Sequence, residues 1–204
     1  SNPAAGLFRG NQTLGRQTSR NAEVGIGGQW LNWIARSSVF FRQDDDLVDW
    51  TFRQGVTARS ANEVDVATTG FEFVGQRSWR AIDLVLGYTW LTKDPDYMGA
   101  VVDASFYVQN YAEHRFTAAI VARISSQFEL RMDNQFRSQA DNLLRTTGGN
   151  NPVLSSLGLT YRPAALRRLS ITLQTDNLWD SEYQEVPAVP ATPRQTSAIV
   201  RYNW

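Results

Sequence analysis

Alternation is the feature that constrains this chain most. Between Phe128 and Arg137, the residues Phe128, Leu130, Met132 and Phe136 share one side of a two-residue period. Glu129, Arg131, Asp133, Gln135 and Arg137 share the other, and only Asn134 breaks the pattern. Successive side chains of a β-strand point to opposite faces, so this spacing predicts a strand with one apolar and one charged face. The period recurs at Ile82, Leu84, Leu86, Tyr88 and Trp90, at Phe116, Ala118, Ile120 and Ala122, and at Leu169, Ile171 and Leu173. It recurs at the end of the chain in Thr196, Ala198, Val200, Tyr202 and Trp204, with Ile199 out of step. Nine strands are predicted, near 19–27, 30–43, 64–76, 80–92, 112–125, 127–138, 153–162, 168–180 and 194–204. No stretch has the period of a helix of ordinary length, and 138–145 has room for one turn at most.

The connections carry the second constraint. Tight turns are expected at Gly27-Gly28-Gln29, Arg77-Ser78-Trp79 and Ser125-Ser126-Gln127, with a slightly longer one from Pro163 to Arg167. Long connections fall at 44–63, 93–111, 139–152 and 181–193. Short and long alternate without a break. A soluble sandwich does not require that order, whereas a transmembrane barrel has short turns on one side and long loops on the other. Trp30, Trp79, Phe128 and Trp204 lie at the short-turn ends, and Tyr88, Trp90, Phe136 and Trp179 towards the long-loop ends. That placement matches the two aromatic girdles of a membrane barrel. The opposite face is charged, with Glu23, Arg36, Glu72, Asp83, Arg123, Glu129, Arg131, Asp133, Arg137, Arg162 and Asp176. In a barrel this face lines the lumen; around a soluble core it would be a solvated exterior, and periodicity alone leaves both open.

Composition narrows the function. Twenty basic and twenty acidic residues cancel, without the basic excess expected of a phosphate-binding nucleic-acid protein. The chain contains no cysteine and one histidine, His114, which excludes thiol nucleophiles, zinc fingers and iron–sulfur clusters. No carboxylate pair, nucleophile or metal cluster makes a catalytic case, so no enzyme activity, cofactor or metal is expected. Asp44-Asp45-Asp46 with Asp49 lacks the spacing and glycine of an EF-hand loop and is read as a solvated loop tip. His114 is read as a strand-start residue with structural hydrogen bonds. No run of 18 apolar residues is present, and the start Ser1-Asn2-Pro3 lacks the features of a signal peptide.

Particular residues now carry a resemblance. The run Thr175-Asp176-Asn177-Leu178-Trp179-Asp180-Ser181-Glu182-Tyr183 resembles the penultimate-strand motif of TonB-dependent outer-membrane receptors. The end Arg201-Tyr202-Asn203-Trp204 is similar to the terminal aromatic insertion signal of outer-membrane barrels. Gly10-Asn11-Gln12-Thr13-Leu14 with Ala22-Glu23-Val24-Gly25, then Thr69-Gly70-Phe71-Glu72, then Tyr111-Ala112-Glu113-His114-Arg115 resemble further family segments in the family's order. The chain departs from the family at Gly15-Arg16, where an acidic residue is usual, at Pro193-Arg194 in place of Gly-Arg, and at Ala112 in place of proline.

The resemblance implies an all-β, antiparallel transmembrane barrel segment of about nine strands, the last nine of a 22-stranded barrel. Residues 1–18 are then an extracellular loop segment and 19–204 the C-terminal barrel portion, with no plug domain present. The implied function is energised uptake of a large scarce solute, a ferric siderophore ahead of cobalamin or glycan. The implied location is the bacterial outer membrane. The implied partners are outer-membrane lipid, the remaining strands and plug on the same or another chain, and TonB through that plug; nucleic acid is not among them. Ligand contacts are expected from aromatic and arginine residues of the long loops: Trp50, Arg53, Arg59, Tyr97, Tyr107, Arg145 and Tyr183. The motif and insertion-signal residues are Asn177, Leu178, Trp179, Asp180, Tyr183, Tyr202 and Trp204. Two alternatives stand beside this reading: a small self-contained outer-membrane barrel for adhesion, structure or diffusion, and a soluble β-sandwich binding module.

Overall fold

The structure, a computed structural model, describes residues 7–166 and 168–204. Residues 1–6 of the expected loop segment and Arg167 of the expected turn lie outside the described residues. The described chain forms strands β1 (Phe8–Arg9), β2 (Thr18–Trp30), β3 (Trp33–Phe52), β4 (Arg59–Ser78), β5 (Ile82–Asp96), β6 (Ala104–Ser105), β7 (Ala112–Arg123), β8 (Phe128–Gln139), β9 (Val153–Tyr161), β10 (Leu169–Asp176), β11 (Gln184–Val186), β12 (Val189–Pro190) and β13 (Gln195–Tyr202). The nine long strands stand side by side in the order β13-β10-β9-β8-β7-β5-β4-β3-β2, every neighbouring pair antiparallel. These are the nine strands that alternation predicts. They form one sheet, so the two-sheet core of a sandwich is not what organises the chain.

Pairing register separates two faces across the whole sheet. One row joins Val24, Val39, Phe71 and Trp90 by direct opposition, and another joins Leu84, Ile120, Met132, Leu157 and Thr175. This apolar face is open: Ile26, Val39, Phe41, Phe116, Phe136, Leu173 and Val200 are all exposed. At the short-turn end it carries Trp30 opposite Trp33 and Phe128 stacked on Tyr161, 4.9 Å apart. At the long-loop end it carries Phe41, Tyr88, Trp90 and Phe136. On β5, Ile82 and Trp90 span about 26 Å of strand, close to the height of a barrel's apolar band. The charged residues predicted for one face do share the opposite one. There Asp83 pairs with Arg123, Arg131 with Asp133 at 2.6 Å, and Arg162 with Glu129 at 3.1 Å.

Three expectations are corrected. The first turn is not at Gly27-Gly28-Gln29, which continue β2; it is Leu31-Asn32, with φ of 46° and 66°. A two-residue turn with both residues left-handed matches the twist of a hairpin. Gly27 instead admits the Arg36 side chain, whose Cγ lies 3.0 Å from where a Cβ would be. The 44–63 connection is mostly strand, because β3 and β4 run on past the sheet to bury Leu47, Val64 and Val66 against Val108 and Tyr97. The aspartate run is therefore not a solvated tip. It sits within β3 at a bulge, with Asp46 at φ 56°, Asp44 buried against Arg42 at 2.7 Å, and Asp49 fully buried.

The nine-stranded sheet does not close. β2 and β13 are fully exposed and have no partner on their outer sides among the described residues. Both run from the long-loop end to the short-turn end, as the first and ninth members of an antiparallel series must. An all-antiparallel barrel containing these nine therefore needs an odd number of further strands. β1 supplies none of them: it is two residues long and lies parallel to β4 at Arg59 and Ser60.

Candidate functional site

The buried side chains collect at the long-loop end, where the connections fold against one another. Ala104, Phe106 and Leu144 form a small core, with Trp50, Phe52, Val186 and Ala188 packed around it. The carboxylate of Asp49 fixes the 97–110 connection: it accepts from the backbone N–H of Tyr107 at 3.1 Å and of Val108 at 3.0 Å, and faces the Tyr97 hydroxyl at 3.4 Å. Burial pushes the Tyr97 phenol well above its ordinary value, and the neighbouring Asp49 charge adds to the shift. Arg145 ties three segments together, donating to Ala140 O at 2.9 Å, Asn150 Oδ1 at 2.5 Å and Asn110 Oδ1 at 2.7 Å. Its burial among neutral acceptors lowers its affinity for the proton.

The motif Asn177-Leu178-Trp179-Asp180 closes the last long loop on itself. Asn177, at φ 46°, donates to Ser181 O and Thr192 O, each at 3.1 Å, and accepts from Ser181 N at 2.9 Å. Asp180 accepts from Arg194 N at 2.8 Å. Both ends of the loop are thereby pinned. Its middle then turns over the polar face: Gln139 Nε2 donates to Gln184 O at 3.4 Å, Asn110 Nδ2 donates to Glu185 O at 2.6 Å, and the Tyr183 ring lies 5.8 Å from the Arg137 guanidinium.

Among the expected ligand residues, Arg53 and Tyr107 are exposed. Trp50 is half-buried, with the edge of Phe8 5.0 Å away. Arg59 is only 2 % exposed and stacks on Phe52 at 4.3 Å. Tyr97 and Arg145 serve the loop contacts described above, and Tyr183 faces Arg137. These residues do not converge on one cavity. His114 lies on the apolar face near its long-loop end, its Nδ1 2.8 Å from the Tyr88 hydroxyl.

Two adjoining cavities lie instead on the polar face. One of 460 Å³ is roofed by Asn177, Tyr183, Thr192 and Pro193 and floored by Arg115, Asp133, Gln135 and Asp176. A second, of 340 Å³, shares Arg115 and adds Arg137, Gln139, Glu72, Tyr111 and Glu185. Arg115 and Arg137 stand directly opposite on β7 and β8. Alternation places both on the polar face, but only register makes them neighbours, so sequence reasoning did not single them out.

Solved structures share this architecture. The FrpB iron transporter from Neisseria meningitidis superposes with a TM-score of 0.67 at 15% identity, over 98% of this chain and 33% of that one. The ferripyoverdine receptor of the outer membrane of Pseudomonas aeruginosa gives 0.66 at 12% identity, over 91% and 27%. The copper transporter OprC gives 0.64 at 13% identity, over 96% and 34%. The fold is that of a TonB-dependent receptor barrel. In a barrel of that fold the face corresponding to the polar one here lines the lumen and the apolar one faces outward. The chain spans about a third of the length of these receptors. No protein-family model and no curated protein matches it.

Proposed function

We propose that this chain is the C-terminal barrel portion of a TonB-dependent outer-membrane receptor that takes up a large scarce solute, a ferric siderophore foremost. The observation that carries this reading is the two-faced sheet: nine antiparallel strands with lipid-facing aromatics at both ends and long loops folded over the lumen face. A self-contained small barrel is supported less well, because 91%, 96% and 98% of this chain superpose on receptor barrels about three times its length.

On this reading residues 1–18 are an extracellular segment and 19–204 wall strands. Exposed loop residues such as Arg53 and Tyr107 meet the arriving solute, and Trp50 and Tyr183 line its approach. Arg59, Tyr97 and Arg145 hold the loops that present them. Tyr202 and Trp204 form the terminal insertion signal. The partners are outer-membrane lipid, the remaining strands, a plug domain and, through it, TonB; the chain itself performs no catalysis.

The test is uptake in a strain from which the whole gene is deleted. Radiolabelled ferric siderophores are supplied one at a time to iron-starved cells. Loss of energy-dependent accumulation of one of them, restored by the gene, supports the reading. Unchanged uptake of every siderophore, metal complex and cobalamin offered overturns it.

A further inference from the structure

Two arginines directly opposite on adjacent strands repel each other unless an anion lies between them. Arg115 and Arg137 are such a pair. Arg137, with a side chain 11% exposed, is neutralised at 3.0 Å by Glu185, whose own side chain is 64% exposed and comes from the middle of the last long loop. Arg115 has no carboxylate within ion-pair distance among the described residues. Three successive lumen-facing residues of β8 each keep a buried polar atom without a partner: Gln135 Nε2, Arg137 Nε and Gln139 Oε1. Polar atoms that the protein leaves unpaired beside a cavity are free to bond a ligand or water there. Arg115, Arg137 and Gln139 line the 340 Å³ cavity, and Gln135 lines the adjoining one. The acidic Glu72 on the far wall stands two strands away from Arg115, about 10 Å.

We propose that Arg115 and Arg137 bind a carboxylate of the incoming solute, and that Glu185 is an internal counterion which this group displaces, freeing the last long loop. The inference rests on the receptor reading above. Glu185 occupies one arginine of a two-arginine site, so a carboxylate that bridges both outcompetes it with the gain of a second charged contact. Loss of the Glu185 contact removes the ion pair that holds the loop middle to the barrel wall, leaving it to hydrogen bonds from Asn110, Gln139 and Thr146 and to the packing of Val186 and Ala188.

The experiment uses the full-length receptor purified from outer membranes, with citrate as probe and glycerol as the uncharged control. This chain has no cysteine. Val186, packed on the Ala104–Phe106–Leu144 core, is replaced by cysteine and its maleimide labelling rate reports loop release. Citrate is expected to raise that rate at least about fivefold, with saturation, and glycerol to leave it unchanged. Glu185→Gln raises the rate without citrate and lowers the half-saturating citrate concentration by about fivefold or more. Arg115→Gln abolishes the citrate response. A citrate-insensitive rate in the parent with a raised rate in Glu185→Gln makes the pair a loop clamp only and overturns the proposal. So does a citrate response that survives Arg115→Gln. A rate that rises in Arg115→Gln without citrate assigns the anion to another part of the receptor and likewise overturns it. Siderophore uptake retained alongside any of these three results overturns the anion site and leaves the receptor reading standing.

Discussion

The indole Nε1 of Trp179 donates a 2.7 Å hydrogen bond to Ser155 Oγ on the apolar face of the sheet. Ser155 Oγ in turn donates to Asn134 Oδ1 at 2.8 Å, and Asn134 Nδ2 reaches Ala118 O at 3.4 Å. Asn134 is the residue that breaks the alternation of β8, and this chain of hydrogen bonds satisfies it on an otherwise apolar face. Ser155→Ala leaves the Trp179 and Asn134 groups unpaired and is expected to cost about 1–3 kcal/mol. The check is the temperature at which the folded band of the full receptor disappears in a heat-modifiability gel. Ser155→Ala combined with Asn134→Leu should recover much of the loss.

Asp49 is the anchor of the 97–110 connection. Asp49→Ala removes the acceptor for two backbone N–H groups and is expected to expose that connection to protease without unfolding the barrel. Limited proteolysis, read by mass spectrometry, should show new cleavage between residues 97 and 110. Cuts confined to other loops would contradict this role.

The buried phenol of Tyr97 gives a pH signature. Its folded-state pKa lies above the ordinary phenol value, so the neutral form is the one the fold favours. The stability this contributes is fully present below the ordinary value of about 10 and is lost as the pH rises through the raised one. Ultraviolet difference titration should show a late phenol, still protonated at about pH 11, that is absent in Tyr97→Phe.

At Gly70 the ring of Phe40 on the neighbouring strand occupies the space of a side chain; a Cβ there would overlap Phe40 Cζ. Gly70→Ala is expected to destabilise the barrel by about 1–3 kcal/mol through overpacking. Adding Phe40→Ala should remove most of that penalty, as heat-modifiability would report.

The strands were legible because the two faces of the sheet carry opposite chemistry, apolar on one and charged on the other, and that alternation repeats in every long strand from β2 to β13. Turn chemistry was less legible. The glycines at 27 and 28 look like a turn, yet Gly27 gives room to Arg36, while Leu31 and Asn32 take the left-handed conformations. The aspartates at 44–49 look solvated, but backbone N–H groups of the 97–110 connection pair with Asp49, and Arg42 pairs with Asp44. The arginine pair was invisible for a related reason. Arg115 and Arg137 lie on different strands, and their opposition follows from the exact turn residues at 124–127, from which the register runs unbroken to His114 opposite Ser138.

The shared direction of β2 and β13 has a consequence for crowding. Copies of this sheet set the same way up meet any neighbour's edge with strands pointing the same way, whichever edges touch. They could zip together only through parallel ladders, the weaker kind, and in a register that nothing in their hairpins has prepared. The partners that fit both edges of the described sheet in the stronger, antiparallel way are strands that run from the short-turn end to the long-loop end.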